Sequence, residues 1–154
     1  MNYSNDKDFT RNNNTVTVKL NKFSKDFSIK LLKEGENYKD REKTAQELIN
    51  YLCDKFKICR SKVTVLNLNQ PHSTSDRNTL KSVKMGDYNP NSHVIRVWNL
   101  TAKQGKTVSI KSFLDTLLHE FIHHYDFTVL KFNQSPHTSG FYKRLSDLSV
   151  KVKP

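Results

Sequence analysis

The sequence predicts a single α+β domain that contains an N-terminal helix, about three mainly antiparallel strands, a long helix and a closing helix. Three observations predict this class. Apolar residues recur at helical spacing in three separate segments, and strand-forming segments lie between the first two of them. The length of 154 residues suits one domain, and no internal repeat divides it. We therefore expect residues 15–154 to form one domain and the Asn-rich residues 1–14 to form a disordered tail.

The first predicted helix covers residues 41–57, where apolar side chains follow the i, i+3, i+4, i+7 spacing of one helix face. Asp40 stands before it as a suitable N-cap. Cys53 belongs to the apolar face, which predicts a core position and not a reactive thiol. Residues 15–38 match neither the helical nor the strand period cleanly, so they receive no assignment.

Three segments rich in β-forming residues predict the sheet. They cover residues 63–68, 80–88 and 93–98. Turn-forming residues separate the last two segments, so we expect residues 80–98 to form a hairpin. Residues 72–79 have the composition of a loop.

The longest apolar stripe at helical spacing runs over residues 110–125 and predicts a buried helix, with Thr107 or Ser109 as its N-cap. A final helix follows after a loop. Its predicted N-cap is Thr138 or Ser139, and apolar residues at helical spacing give it one face toward the core.

The buried helix contains His119, Glu120 and His123 in the pattern H-E-x-x-H. Residues four apart lie one turn apart on the same helix face, so two imidazoles at this spacing can bind one Zn²⁺. The glutamate lies about 100° further around the helix and can act as a base toward a zinc-bound water. Both histidines point away from the apolar stripe, which favours a metal site. The competing interpretation is two solvated histidines on a polar face.

A catalytic zinc needs a third protein ligand and an open position for water. The metzincin pattern is absent, because Asp126 and Val129 stand where a glycine and a ligand would be required. A gluzincin ligand is absent too, because no glutamate follows Glu120. His137 is the strongest candidate, since it lies in a loop outside the helix and can approach the metal from another direction.

Three other residues are weaker candidates for the third ligand. His124 lies off the ligand face, where a surface position or a role in orienting a ligand is expected. Asp126 lies beside the ligand face and is expected to orient an imidazole through its second ring nitrogen, or to be structural. Asp147, in the final helix, stays open as a ligand.

These residues resemble the SprT-like zinc metallopeptidases. The segments His119-Glu-Phe-Ile-His123 and His137-Thr-Ser-Gly-Phe are similar to the two ligand segments of that family, and a weaker similarity covers residues 40–150. The resemblance implies a small zincin-like fold, with His119, His123 and His137 as ligands of Zn²⁺ and Glu120 as the catalytic base. Many relatives carry a four-cysteine zinc ribbon, whereas this sequence has two cysteines and no C-x-x-C pair. The DNA-targeting role of such a ribbon is therefore not implied.

The resemblance also implies a place for the substrate. In zincin-like folds the strand that precedes the active-site helix borders the cleft, so residues 93–98 are expected to pair with an extended peptide. Trp98 is then expected to line a subsite or to lie in the core. Tyr88 and Tyr142 are candidates for stabilising an oxyanion, and the sequence selects neither.

The chain is basic, with 26 Lys and Arg against 15 Asp and Glu and a net charge of +11. Residues 48–114 carry an excess of eight positive charges. A basic surface favours nucleic acid as a partner, and the competing interpretation is a solvated lysine-rich surface without such a partner. No helix-turn-helix, RNP-type or glycine-rich phosphate motif accompanies the charge.

The sequence therefore predicts a cytoplasmic, monomeric zinc metallopeptidase that acts on a protein or peptide substrate. The mean hydropathy is −0.73 and no apolar run is long enough to span a bilayer, so no membrane partner is expected. Two alternatives stay open. One is a catalytically restricted zinc-fold protein that binds nucleic acid or a protein partner through its basic surface. The other is a metal-dependent hydrolase of a non-peptide amide.

Overall fold

The computed structural model describes residues 7–154 and has an α+β architecture, as the sequence predicts. The helices in this part of the chain are α1 (Lys7–Asn14), α2 (Asp26–Leu32), α3 (Tyr38–Phe56), α4 (Ile110–Thr128) and α5 (Ser139–Val152). The strands are β1 (Lys62–Asn69), β2 (His72–Thr74), β3 (Leu80–Val83), β4 (Gly86–Asn89) and β5 (Val94–Leu100).

The central sheet is mixed, with the strand order β1-β5-β4. Strand β5 runs parallel to β1 and antiparallel to β4, and Ile95 is paired with Val63 on one side and Tyr88 on the other. The prediction of a mainly antiparallel sheet is therefore wrong. Between β1 and β4 the chain forms a separate two-stranded sheet from β2 and β3, and β5 then returns beside β1 in the same direction.

The predicted second strand over residues 80–88 is two strands with different partners. Its first half is β3, which pairs with β2, and its second half is β4, which pairs with β5. The hairpin of the central sheet is thus formed by β4 and β5 alone. Residues 72–79 contain β2 and the turn that follows it, so the prediction of a loop is wrong for residues 72–74.

The prediction of a disordered tail is wrong for residues 7–14, which form α1, while residues 1–6 lie outside the described part of the chain. The Asn12 side chain is fully buried. Its Oδ1 accepts hydrogen bonds from Arg144 Nη2 at 2.8 Å and from Thr138 Oγ1 at 2.7 Å. Helix α1 docks through buried polar groups, and a prediction based on apolar patterning does not detect such a contact.

Side-chain N-caps mark the first residues of the three longest helices. Helix α3 begins at Tyr38, because the side chain of Asn37 accepts hydrogen bonds from the backbone N–H groups of the first turn. Asp40 therefore lies inside the first turn, and the prediction that it is the N-cap is wrong. Ser109 caps α4 and Thr138 caps α5, each one of the two candidates that the sequence offered.

The hydrophobic core lies between the central sheet and helices α3 and α4, with α2 and α5 packed around it. Cys53 is fully buried in this core, as predicted. The apolar stripe of α4 faces inward, so the helix is fixed in rotation and presents His119 and His123 on its less buried side. Among residues 7–154 no helix combines the length and the apolar composition that crossing a bilayer requires.

Candidate metal centre

Three imidazoles converge in a cleft between α4, β4 and the start of α5. Nε2 of His137 lies 3.1 Å from Nε2 of His119 and 3.0 Å from Nε2 of His123. One ring nitrogen from each histidine lies within 4.8 Å of the other two. The three residues that the sequence indicates as metal ligands are therefore close enough to bind one ion.

The spacing of the nitrogens fits a small ion at tetrahedral geometry. Zinc–nitrogen bonds of about 2.0–2.1 Å at tetrahedral angles place two ligand nitrogens about 3.3 Å apart. The distances of 3.0 and 3.1 Å are close to this value. Three imidazoles with one further position free are a donor set that zinc accepts in catalytic sites.

Two elements of the fold position the three candidate ligands. His119 and His123 lie one turn apart on α4, and His137 directly precedes Thr138, the N-cap of α5. The buried ring of Phe141 packs against all three imidazoles, with centroid distances between 4.7 and 5.0 Å. Phe141 therefore forms an apolar floor to the site.

Partial desolvation favours the neutral form of all three imidazoles, although His137 is the most exposed of them. Desolvation, followed by the charge on His137, lowers the pKa of His119 to about 4. Desolvation, followed by the charge on His119, lowers the pKa of His123 to about 3. Burial also lowers the pKa of His137. Only a neutral imidazole offers a lone pair to a metal, so the site is ready for an ion near neutral pH.

Ser135 connects His123 to Asp126. Its Oγ lies 2.7 Å from Nδ1 of His123 and donates a hydrogen bond to Oδ2 of Asp126 at 2.7 Å. The expected contact of Asp126 with an imidazole is thus made through the hydroxyl of Ser135 and not directly. No sequence signal identifies Ser135, because its contact depends on how the loop before His137 folds back onto α4.

Glu120 lines the cleft with only 6 % of its surface exposed. Burial, followed by the negative charge of Asp87, raises the pKa of Glu120 to about 8 against an opposing effect of Lys84. Gly86 on β4 makes room for it, since a Cβ at Gly86 would lie 3.2 Å from Cγ of Glu120 and 2.7 Å from Cγ2 of Thr116. The isolated glycine within a predicted strand was the available sequence signal for this close approach.

The cleft extends on both sides of Glu120 and His137. One half has a volume of about 480 Å³ and runs toward Met85 and Leu145. The other half has a volume of about 390 Å³ and runs toward Phe127. Strand β4 lines both halves and is an edge strand of the central sheet.

The strand that borders the cleft is β4, so the prediction that residues 93–98 form the substrate-binding edge is wrong. Most of that segment belongs to β5, whose backbone is paired with a neighbour on each side. Trp98 is 6 % exposed, which agrees with a core position. It also lines a separate cavity of about 210 Å³ that shares Met85 and Thr116 with the cleft.

His124 and Asp147 do not join the metal cluster. His124 is fully buried, so the expected surface position is wrong, and its Nε2 lies 2.8 Å from the carbonyl oxygen of Cys59. Asp147 accepts hydrogen bonds from the backbone N–H of Val18 at 2.9 Å and from Lys151 Nζ at 2.7 Å. Both residues therefore serve the fold.

The two candidate oxyanion tyrosines differ in their environment. The Tyr88 hydroxyl lies 2.7 Å from Nδ1 of His124 and 2.8 Å from Nδ1 of His93, so it is already engaged. Tyr142 is 49 % exposed, its ring centroid lies 5.8 Å from that of His137, and its hydroxyl has no hydrogen bond within residues 7–154. Of the two, Tyr142 is the one with a hydroxyl available to a ligand.

Comparison of the chain with known proteins finds no matching protein family, no similar curated protein and no similar solved structure.

Proposed function

We propose that this protein is a zinc-dependent metallopeptidase of small zincin-like fold, as its resemblance to the SprT-like family implies. The observation that carries the proposal is the convergence of three neutral imidazoles on one point beside a buried glutamate in an open cleft. A structural metal site would be closed by a fourth protein ligand, whereas this cluster consists of three histidines among the described residues.

His119, His123 and His137 would hold the ion. When bound, zinc supplies a Lewis acid that polarises the substrate carbonyl and lowers the pKa of water. Glu120 holds and moves the proton: its carboxylate takes a proton from the attacking water and returns it to the leaving nitrogen. The low exposure of Glu120 supports this role, because a desolvated carboxylate is a stronger base than a solvated one, and the positive charge of a bound ion would favour the ionised form that the role requires.

Strand β4 is suited to hold an extended peptide. Its outer edge is unpaired among the described strands and it runs along the cleft past Glu120. An added strand would hydrogen-bond to this edge through its main chain and would place a peptide bond near the metal centre. Because main-chain pairing is independent of side chains, the substrate class we propose is an extended protein segment.

A proteolysis assay tests this proposal. Zinc-loaded wild type is incubated with an unfolded protein such as casein, beside Glu120→Gln and the matched control Glu36→Gln, whose glutamate is exposed. We expect cleavage by the wild type and by Glu36→Gln, and a loss of at least about a hundredfold in Glu120→Gln. Equal cleavage by all three proteins would exclude Glu120 as the base.

A second candidate function rests on a different surface. Strands β2 and β3 form a hairpin that is exposed almost throughout and carries Arg77 and Lys81. Lys103 reaches the same hairpin and donates to the carbonyl of Asn78. A catalytically restricted protein could bind nucleic acid or a protein partner here. Nucleic-acid binding that survives Glu120→Gln, together with no proteolysis by the wild type, would favour this alternative.

A further inference from the structure

A buried polar chain runs from the N-terminal helix to the metal centre. At its middle is Arg144, which is fully buried. Its Nε and Nη2 donate to the two carboxylate oxygens of Asp126 at 3.1 and 2.8 Å. Its Nη1 donates to the backbone carbonyl of Asn12 and to that of Thr15, each at 2.6 Å, and Nη2 also donates to Oδ1 of Asn12. The guanidinium therefore joins α1 to α4.

Helix α1 also contacts the segment that carries His137, which we name the ligand loop (residues 130–138). The backbone N–H of Asn133 donates to Oδ2 of Asp8 at 2.8 Å. Arg11 Nη2 donates to the carbonyl of Leu130 at 3.2 Å. At the other end of the loop, Thr138 Oγ1 donates to Oδ1 of Asn12 at 2.7 Å. Helix α1 thus anchors the ligand loop on both sides of His137.

Side-chain stacking adds to these anchors. The guanidinium of Arg11 lies over the ring of Phe132 at 4.6 Å, and that of Arg144 lies 5.7 Å from the centroid of the same ring. Phe132 is 3 % exposed, so a buried aromatic side chain that contacts two cations holds the ligand loop in place.

We propose that α1 is a clamp on the ligand loop, and that Asn12 and Arg144 are positioning residues for the metal centre. The inference rests on the proposed metal site. It adds that the affinity of the site for zinc depends on α1 being docked, although α1 contributes no ligand. If the loop were released from α1, His137 could still reach the metal. Binding would then have to order the loop, and the conformational entropy lost in doing so would weaken the affinity for zinc.

Gly140 gives a way to displace α1 without deleting it. A Cβ at this position would lie 2.2 Å from the carbonyl oxygen of Asn12 and 2.5 Å from that of Asn13. Both atoms belong to the backbone of α1, so Gly140→Ala forces the helix off the start of α5. Alanine is otherwise favourable inside a helix, which limits other effects of the substitution. Gly35→Ala is the matched control, because no atom lies within 4 Å of a Cβ there.

Two measurements on the 154-residue chain test the inference, and the first needs no metal. Trypsin is added to metal-free protein, and the fragment ending at Lys131, an exposed residue of the ligand loop, is followed by mass spectrometry. We expect this cut to appear at least about tenfold faster in Gly140→Ala than in the wild type and in Gly35→Ala.

The second readout is zinc affinity by competition with a chromophoric chelator. We expect it to fall about 10- to 100-fold in Gly140→Ala, and to fall in Asn12→Ala as well.

Each result decides a separate part of the inference. If Gly140→Ala is cut at Lys131 no faster than Gly35→Ala, α1 is not a clamp. If the cut is faster but zinc affinity equals that of the wild type, the positioning role is overturned. If the wild type binds no zinc, the proposed metal site and the positioning role both fail, and the clamp is judged on the cut alone. If circular dichroism reports a loss of helix in Gly140→Ala, the same two readouts on Asn12→Ala decide.

Discussion

The Oγ of Ser135 lies 2.7 Å from Nδ1 of His123, and its proton is directed to Asp126. Asp126 is paired with Arg144 through both carboxylate oxygens and acts as an acceptor. Ser135 therefore offers His123 a lone pair, which places the imidazole proton on Nδ1. Nε2 is left with its own lone pair directed toward the other two histidines.

Removal of the Ser135 hydroxyl is predicted to weaken the metal centre. In Ser135→Ala, His123 loses the group that selects its tautomer, and zinc affinity is expected to fall about 10- to 100-fold. The matched control is Ser139→Ala, at an exposed serine on the first turn of α5. Competition with a chelator measures both variants, and equal affinity in the two would show that Ser135 does not orient His123.

A methyl group at Gly86 is predicted to push β4 away from α4. It would lie 2.7 Å from Cγ2 of Thr116 and 2.9 Å from the carbonyl oxygen of Arg96, so the strand must shift. Overpacking of this kind costs about 1–3 kcal/mol. Urea denaturation of Gly86→Ala is therefore expected to give a lower free energy of unfolding than that of the wild type, and proteolysis should fall with it. An unchanged midpoint, as expected for Gly35→Ala, would contradict the close contact.

The long helices were predictable, because α3 and α4 each carry an apolar stripe at helical spacing over several turns. The two candidate ligands on α4 followed from the same periodicity, since the spacing of His119 and His123 fixes their common face. His137 was accessible by elimination and by the resemblance of its segment to a known ligand segment, because a loop residue has no periodicity that locates it.

Other parts of the site depend on contacts between distant segments. Asn12 and Arg144 meet across 132 positions of sequence, and neither stands in a recognisable pattern. The sequence predicted β5 as the strand that borders the cleft, and the structure places β4 there. The cause is the same, because strand order depends on pairing partners that local sequence does not specify.

His119 and His123 are predicted to lower the stability of the metal-free protein as the pH falls below neutrality, whereas the raised pKa of Glu120 acts in the opposite direction. His119 and His123 have a pKa of about 4 and about 3 in the folded chain, against 6.5 for the ordinary side chain. The unfolded chain therefore binds protons first, so the stability that the neutral imidazoles contribute is complete above about pH 6.5 and declines down to about pH 3.

Urea denaturation of metal-free protein at pH 7 and pH 5 measures this effect. The decrease in the free energy of unfolding between the two values should be smaller in a variant that carries His119→Ala and His123→Ala. The same decrease in the variant and the wild type would mean that other groups produce the pH dependence.

The buried pair of Arg144 and Asp126 is predicted to be far more important for stability than an exposed pair. Both side chains are 0 % exposed. In Arg144→Leu the Asp126 carboxylate stays buried without its partner, and a loss of about 3–5 kcal/mol is expected. Arg60→Leu removes an exposed arginine from its pair with Asp54 and should have a much smaller effect. Thermal and chemical denaturation compare the two, and similar losses would contradict this assignment.

The central claim is that His119, His123 and His137 bind one zinc ion, and metal stoichiometry tests it most directly. Purified metal-free protein is loaded with zinc, freed of excess ion and analysed for metal per chain, beside His137→Ala and the control His72→Ala, whose histidine is exposed on β2. We predict about one zinc per chain in the wild type and in His72→Ala, and a loss of most of it in His137→Ala. Zinc retained unchanged by His137→Ala, or no zinc in the wild type, would contradict the claim.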